Sequence, residues 1–240
     1  MKNFSIIIPA RFKSSRFPGK PLAKIKGIEM IIRVCKICNK VLPKNKIFVA
    51  TDNLKIKKVV EDNFFKSILV RKKCLTGTDR VYEASKKIKS KYILNVQGDE
   101  PIINPNDIKK IMKAKIKSQK KVICGYSLIK YLEAKSLNIP KVVINEKSEL
   151  IYMSRAVVPS NKKINKKSKI LKQVCIYGFN KQELLRFNTF GRKSKVEQLE
   201  DIEILRFMEL GIPIQMVKLS NQSIAVDIKS DIRKVELKIK

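Results

Sequence analysis

The chain has 240 residues, with 54 Lys or Arg against 21 Asp or Glu and a formal charge of +33. That length suffices for one sizeable α/β domain, and a hydrophobic fraction of 44% is too high for a disordered chain. Histidine is absent, which excludes Ser-His-Asp and Cys-His nucleophile systems, histidine-ligated zinc and a histidine general base. Chemistry is left to carboxylates, Lys, Arg, hydroxyls, backbone amides and a metal held by oxygen.

Phe4–Pro9 is a continuous apolar run ended by proline, the pattern of a buried parallel strand. A loop rich in Ser, Arg, Gly and Pro follows over Ala10–Leu22. The spacing predicts helices over Glu29–Leu42, Leu54–Asn63, Arg80–Lys89 and Asp107–Lys117, separated by strands at Ile47–Ala50, Ile68–Val70 and Tyr92–Val96. This alternation reads as a right-handed, doubly wound α/β sheet. Further on the pattern is less regular, with strands at Lys121–Leu128, Lys141–Ile144 and Gln173–Phe179 and a lysine-rich polar loop at Asn161–Lys169. One periodic helix over Glu197–Leu210, stopped by Gly211, precedes strands at Ile214–Val217 and Ile224–Val226 and a terminal helix from Ser230. Nothing requires a second domain, so residues 1–240 read as one, with an excursion around 130–172.

The five cysteines have no disulfide spacing, as expected for reduced thiols in a cytoplasmic protein. Cys35 and Cys38 form a C-x-x-C, but they share the apolar periodicity of Ile31, Val34 and Ile37 and read as core. No apolar stretch reaches the ~18 residues of a membrane-spanning helix. Lys supplies 44 of the 54 positive charges and is scattered, not clustered with aromatics, which argues against specific nucleic-acid recognition. The non-enzymatic alternative is an inactive scaffold that binds polyanions.

In open α/β sheets, ligands bind beyond the carboxyl ends of the strands. After the first strand, Arg11, Arg16 and Lys20 lie among small residues and Gly19, a composition suited to cradling a triphosphate, although it is neither a P-loop nor a G-x-G-x-x-G. Thr76-Gly77-Thr78-Asp79-Arg80 is a glycine turn opening a helix, suited to a base edge or simply to an N-cap. Asn95-Val96-Gln97-Gly98-Asp99-Glu100-Pro101 brings two adjacent carboxylates out of a buried strand, the hard oxygen donors that magnesium on nucleotide phosphates requires. Ala225-Val226-Asp227 places another carboxylate at a later strand end, with helix capping as its alternative role.

Together, Ile7–Arg11 with Phe17–Leu22, Ala50-Thr51-Asp52, Thr76–Arg80, Asn95–Pro101, Ser154-Arg155-Ala156, Ile176-Tyr177-Gly178 and Val226-Asp227 resemble a known family in order and spacing. That family is the CMP-Kdo synthetases, or 3-deoxy-manno-octulosonate (Kdo) cytidylyltransferases, and the resemblance covers essentially the whole chain. It implies a Rossmann-like nucleotidyltransferase fold, three layers α/β/α around a mixed doubly wound sheet. It further implies a homodimer using the 130–172 excursion, and a cytoplasmic enzyme of lipopolysaccharide biosynthesis that activates an ulosonic acid with CTP, giving a CMP-sugar and pyrophosphate.

By the same resemblance, Lys20, Asp99 and Asp227 are the candidate catalytic residues, with Mg2+ held by Asp99 and Asp227. Ala10, Arg11, Lys20, Gly77, Thr78, Asp79 and Arg80 are assigned to the nucleotide, and Gln97, Arg155, Gln173 and Tyr177 to the sugar. Two positions depart from the pattern: Gln173 stands where close relatives carry histidine, and Ile204 where they carry glutamine. Both are expected to face the sugar, and an isoleucine there removes a polar contact. Kdo is the expected acceptor, with 8-amino-Kdo or a sialic-acid-like nonulosonate as the rival.

Overall fold

Period-two alternation fixes the two faces of β1 (Phe4–Ala10): Phe4, Ile6, Ile8 and Ala10 enter one core cluster and Ile7 the other. The computed structural model describes residues 3–13, 17–160 and 169–239. Arg16 and the lysine-rich loop expected over Asn161–Lys169, apart from Lys169 itself, lie outside the described residues.

After β1 the chain runs through β2 (Lys24–Ile25), β3 (Ile28–Glu29), α1 (Met30–Asn39), β4 (Ile47–Thr51) and α2 (Leu54–Asp62). It continues through β5 (Lys66–Leu69), α3 (Gly77–Ser85), β6 (Tyr92–Val96) and α4 (Pro105–Lys117). The second half adds β7 (Val122–Lys130), the short α5 (Tyr131–Ala134), β8 (Lys141–Ile144), β9 (Leu150–Ser154) and β10 (Lys169–Asn180). Then come α6 (Lys181–Thr189), α7 (Lys195–Glu200), α8 (Leu205–Glu209), β11 (Ile214–Lys218) and α9 (Asp231–Glu236).

The main sheet orders its strands β11-β7-β10-β6-β1-β4-β5, with β8 and β9 attached beside β10. Strands β6, β1, β4 and β5 are parallel neighbours; β10 runs antiparallel to β6 and β7, and β11 parallel to β7. The chain leaves β1 toward β4 and β5, then returns on its other side at β6. That reversal opens a crevice between β1 and β6 at their carboxyl ends. Ile31, Ile56 and Ile108 of α1, α2 and α4 fill one face of the sheet, and Val81, Leu184 and Phe207 of α3, α6 and α8 fill the other. The result is the expected three-layer α/β/α arrangement around a mixed, doubly wound sheet. Burying each such aliphatic or aromatic side chain stabilises the fold by ~1.5–3 kcal/mol.

Three expectations need correction. Ile224–Val226 is not a strand but an extended segment, held by a backbone hydrogen bond from Val226 N to Asp99 O of 2.9 Å. The single helix expected over Glu197–Leu210 is two: α7 stops where Asp201 takes a left-handed conformation (φ 49°), and α8 starts at Leu205. The break carries Ile202 and Ile204 into the core and lets Arg206 turn inward between Asp79 and Glu197. Hydrophobic periodicity alone cannot register that pull. Lastly, β10 is longer than the Gln173–Phe179 run, and β9 and α6 carry no strong local pattern. Cys35 and Cys38 are fully buried free thiols in α1, as their apolar surroundings predicted.

Candidate active site

A cleft of about 840 Å³ opens at the carboxyl ends of β1 and β6. The loop leaving β1 is folded back by a hydrogen bond from Gly19 N to Phe12 O at 2.9 Å, and Phe12 N donates to Asp52 Oδ1 at 3.3 Å. Gly19 sits at φ 70°, where a side chain would be strained, and the turn delivers Lys20 to the cleft. Lys20 Nζ donates to Asp99 Oδ2 at 2.7 Å and to the carbonyl of Val226 at 2.8 Å. A Cβ on Gly98 would stand 3.0 Å from the Pro9 carbonyl, so only glycine lets the β6 exit approach β1 this closely. Asp99 and Asp227 both reach the cleft because the Val226 N–Asp99 O bond draws the two segments together.

Helix α3 begins with a capping box: Asp79 N donates to Thr76 Oγ1 at 3.2 Å, while Asp79 Oδ2 accepts from Thr76 N at 2.9 Å. Arg80 Nη2 is held by Asp52 Oδ2 at 2.9 Å, whereas its Nη1 is buried with no hydrogen-bond partner among the described residues. A buried guanidinium donor left unpaired costs ~1–3 kcal/mol. On a cleft wall, such an orphan donor suits an acceptor on a ligand.

Another part of the cleft wall is built by β10, the α7–α8 turn and the segment after β9. Gln97 Nε2 donates to Glu203 Oε1 at 2.9 Å, and Glu203 Oε2 accepts from Thr78 N at 2.9 Å. Burial pushes the Glu203 carboxyl above its ordinary range, and the hydrogen bonds from Thr78 oppose that rise. Gln173 Nε2 donates to Tyr177 Oη at 3.1 Å. Burial also drives the Tyr177 phenol well upward, so it stays protonated. Arg155 hands all three sides of its guanidinium to main-chain carbonyls: Glu200 at 2.6 Å, Leu137 at 2.9 Å and Asp201 at 2.9 Å.

Most of the candidate residues therefore meet in one cleft. Ala10, Arg11, Lys20, Gly77, Arg80, Gln97, Asp99, Arg155, Gln173, Tyr177 and Asp227 all line it. Thr78 and Asp79 do not line it. They are buried beneath the wall, where Asp79 closes the cap and pairs with Arg206 at 2.9 Å, so their side chains shape the α3 terminus from below. Ile204 is also misplaced by the sequence reading. It is fully buried in the core, because the turn after Asp201 presents Glu203 to the cleft instead. Asp227 is not the N-cap of the terminal helix: α9 begins at Asp231 with Ser230 at the N-cap position.

Sequence reasoning missed three groups. Glu203 was hidden inside an apparently continuous helix. Glu100 turns inward, where its Oε1 accepts from Cys175 N at 3.1 Å and Ser223 donates to its other oxygen. Burial raises its carboxyl to about 7, with the charges of Asp99 and, less, Asp227 adding to the effect. Lys172 of β10 faces the cleft beside Ser223.

A family model described as cytidylyltransferase matches residues 5–222. The chain is 35% identical to a 3-deoxy-manno-octulosonate cytidylyltransferase of a Nitratiruptor species, covering 96% of this chain and 97% of that protein. It is 32% identical to one of Escherichia coli, over 98% and 95% of the two chains. A solved CMP-2-keto-3-deoxy-manno-octonic acid synthetase complexed with CTP superposes with a TM-score of 0.89 at 32% identity, covering 98% of this chain and 97% of that one. A 4-diphosphocytidyl-2C-methyl-D-erythritol synthase at 14% identity and a TM-score of 0.63 shares the fold alone. The sheet and its crevice are those of a nucleotidyltransferase. By the family match and these relatives, the chain belongs to the 3-deoxy-manno-octulosonate cytidylyltransferase family.

Proposed function

We propose that the chain transfers the cytidylyl group of CTP to the C2 hydroxyl of Kdo, forming CMP-Kdo and releasing pyrophosphate. The observation that carries this reading is the single cleft shared by the basic loop, the orphan Arg80 donor, the Asp99–Asp227 pair, Gln97 and Tyr177. Arg11 and Lys20 would neutralise the triphosphate, and Arg80 Nη1 would donate to an acceptor on the cytosine. Gln97 and the Gln173–Tyr177 pair would orient the acid so that its hydroxyl meets the α-phosphorus in line.

The residues present suit a magnesium ion. Among the described residues no three His, Cys, Asp or Glu side chains form a closed cage, but magnesium needs only one or two carboxylates when substrate phosphates complete its shell. Asp99 already carries a cation, the Lys20 ammonium at 2.7 Å. Asp99 and Asp227 would hold the ion; when bound, it would lower the pKa of the attacking hydroxyl and neutralise the α-phosphate. The homodimer and its use of residues 130–172 belong to the same proposal, supported by the exposed Leu132, Leu137 and Ile151 in that excursion. So does a cytoplasmic location; among the described residues no helix is long and apolar enough to cross a membrane.

The test is pyrophosphate release with magnesium and CTP, UTP or GTP, across Kdo, 8-amino-Kdo and N-acetylneuraminate. Turnover of Kdo with CTP alone is expected. Turnover only with another acid would move the acceptor while keeping the reaction, and failure to bind CTP would overturn the reading.

A further inference from the structure

An ulosonic acid carries a carboxylate on the carbon next to the reacting C2, and the cleft must hold that anion beside the attacking hydroxyl. The cations on the wall can be sorted by what already engages them. Lys20 is paired with Asp99 and Arg80 with Asp52, and Arg11 is an exposed residue of the loop after β1. Arg155, the residue the sequence suggested, has its guanidinium directed at three main-chain carbonyls. Lys193 pairs with Asp201 at 2.9 Å and Lys234 with Asp231 at 2.7 Å. Lys130 and Lys238 also line the cleft, but both are exposed side chains rather than half-buried ones.

Lys172 differs from all of these. It is half-buried on β10, immediately before Gln173, and its Nζ makes one hydrogen bond among the described residues, to the Ser223 carbonyl at 3.2 Å. An ammonium has three donors, so two remain for a ligand. Ser223 also donates to Glu100, whose neighbours in charge are Asp99, Lys172 itself and, less, Asp227. Lys172 thus lines the cleft next to Gln173 and close to Glu100, the neighbour of Asp99. Resting on the functional reading above, we propose that Lys172 binds the carboxylate of the acceptor and so selects 2-keto acids over neutral sugars.

The experiment compares wild type, Lys172→Gln and Lys172→Arg with Kdo and with its C1 carboxamide. Lys172→Gln should raise the KM for Kdo about ten- to hundredfold, the range of a charge-assisted hydrogen bond, while the KM for CTP and the melting temperature stay unchanged. The carboxamide should react equally poorly with wild type and Lys172→Gln, and Lys172→Arg should recover most of the affinity for Kdo. An unchanged KM for Kdo would overturn the assignment, as would equal losses with both acceptors. If Lys172 served only to neutralise Glu100, adding Glu100→Gln to Lys172→Gln would restore the wild-type KM, and that result would overturn it too. Failure of wild type to use any ulosonic acid with CTP is a separate outcome, in which the functional reading falls and takes this inference with it.

Discussion

Arg206→Met is the most informative single perturbation of the fold around the cleft. Arg206 is fully buried; its Nε and Nη2 reach Glu197 at 2.7 Å each, and its Nη1 reaches Asp79 at 2.9 Å. Methionine fills much of the volume but leaves two buried carboxylates without their counter-charge. Breaking a buried pair in this way costs ~3–5 kcal/mol. Unfolding entropy of ~2.1 cal/mol/K per residue gives about 0.5 kcal/mol/K for this chain, so the melting temperature should fall by roughly 6–10 °C. Circular dichroism melts measure the drop. Because Asp79 closes the α3 cap beneath Gly77 and Arg80, CTP affinity should weaken in the folded variant as well. In an Asp79→Asn, Glu197→Gln background the same Arg206→Met change should cost far less, since no uncompensated charge remains. A loss below about 1 kcal/mol in the wild-type background, or equal losses in both, would refute the reasoning.

Three further outcomes are expected. Asp99→Asn and Asp227→Asn should each abolish turnover while changing stability by less than about 1 kcal/mol, since the Lys20–Asp99 pair is partly open to solvent; near-normal rates would remove that residue from the metal site. Arg80→Lys keeps the charge toward Asp52 but loses the fork that presents Nη1, so the KM for CTP should rise about tenfold or more with the KM for the acid little changed. Glu203 has its folded-state pKa raised above the ordinary 4.5 by burial. Its contribution to stability is therefore complete below that value and is lost as pH rises through the raised one. Glu203→Gln should gain on wild type in urea unfolding as the pH is raised above 4.5, and a gap independent of pH would reject the assignment.

Much of the site was legible because its signals are local. An apolar run ending in proline defines β1, and charge with glycine directly after it marks an anion loop whatever follows in the chain. Carboxylates at the exit of a second buried strand point to a cation for the same reason. Lys20 and Asp99, far apart in sequence, were each found from their own strand ends, and Asp227 from the end of an apolar run that is extended without being a strand. The reversal of strand order between β1 and β6 brings Lys20 and Asp99 together, and the Val226 N–Asp99 O bond adds Asp227.

What the sequence could not determine are the residues whose position depends on a distant partner. Glu203 serves Thr78 across 125 positions and Arg206 serves Asp79 across 127. Their pull breaks a helix that periodicity alone would continue, sends Ile204 into the core and turns Glu203 to the cleft. Arg155 was assigned to the sugar by resemblance, and tertiary contacts engage its guanidinium with three carbonyls, while Lys172, which no motif singled out, keeps donors for a ligand. Local pattern determined most of the strands and which charged residues stand just beyond them. Only the assembled fold decided which buried charges neutralise one another and which still face the cleft, because the cost of burying a charge is set by whatever the whole chain brings beside it.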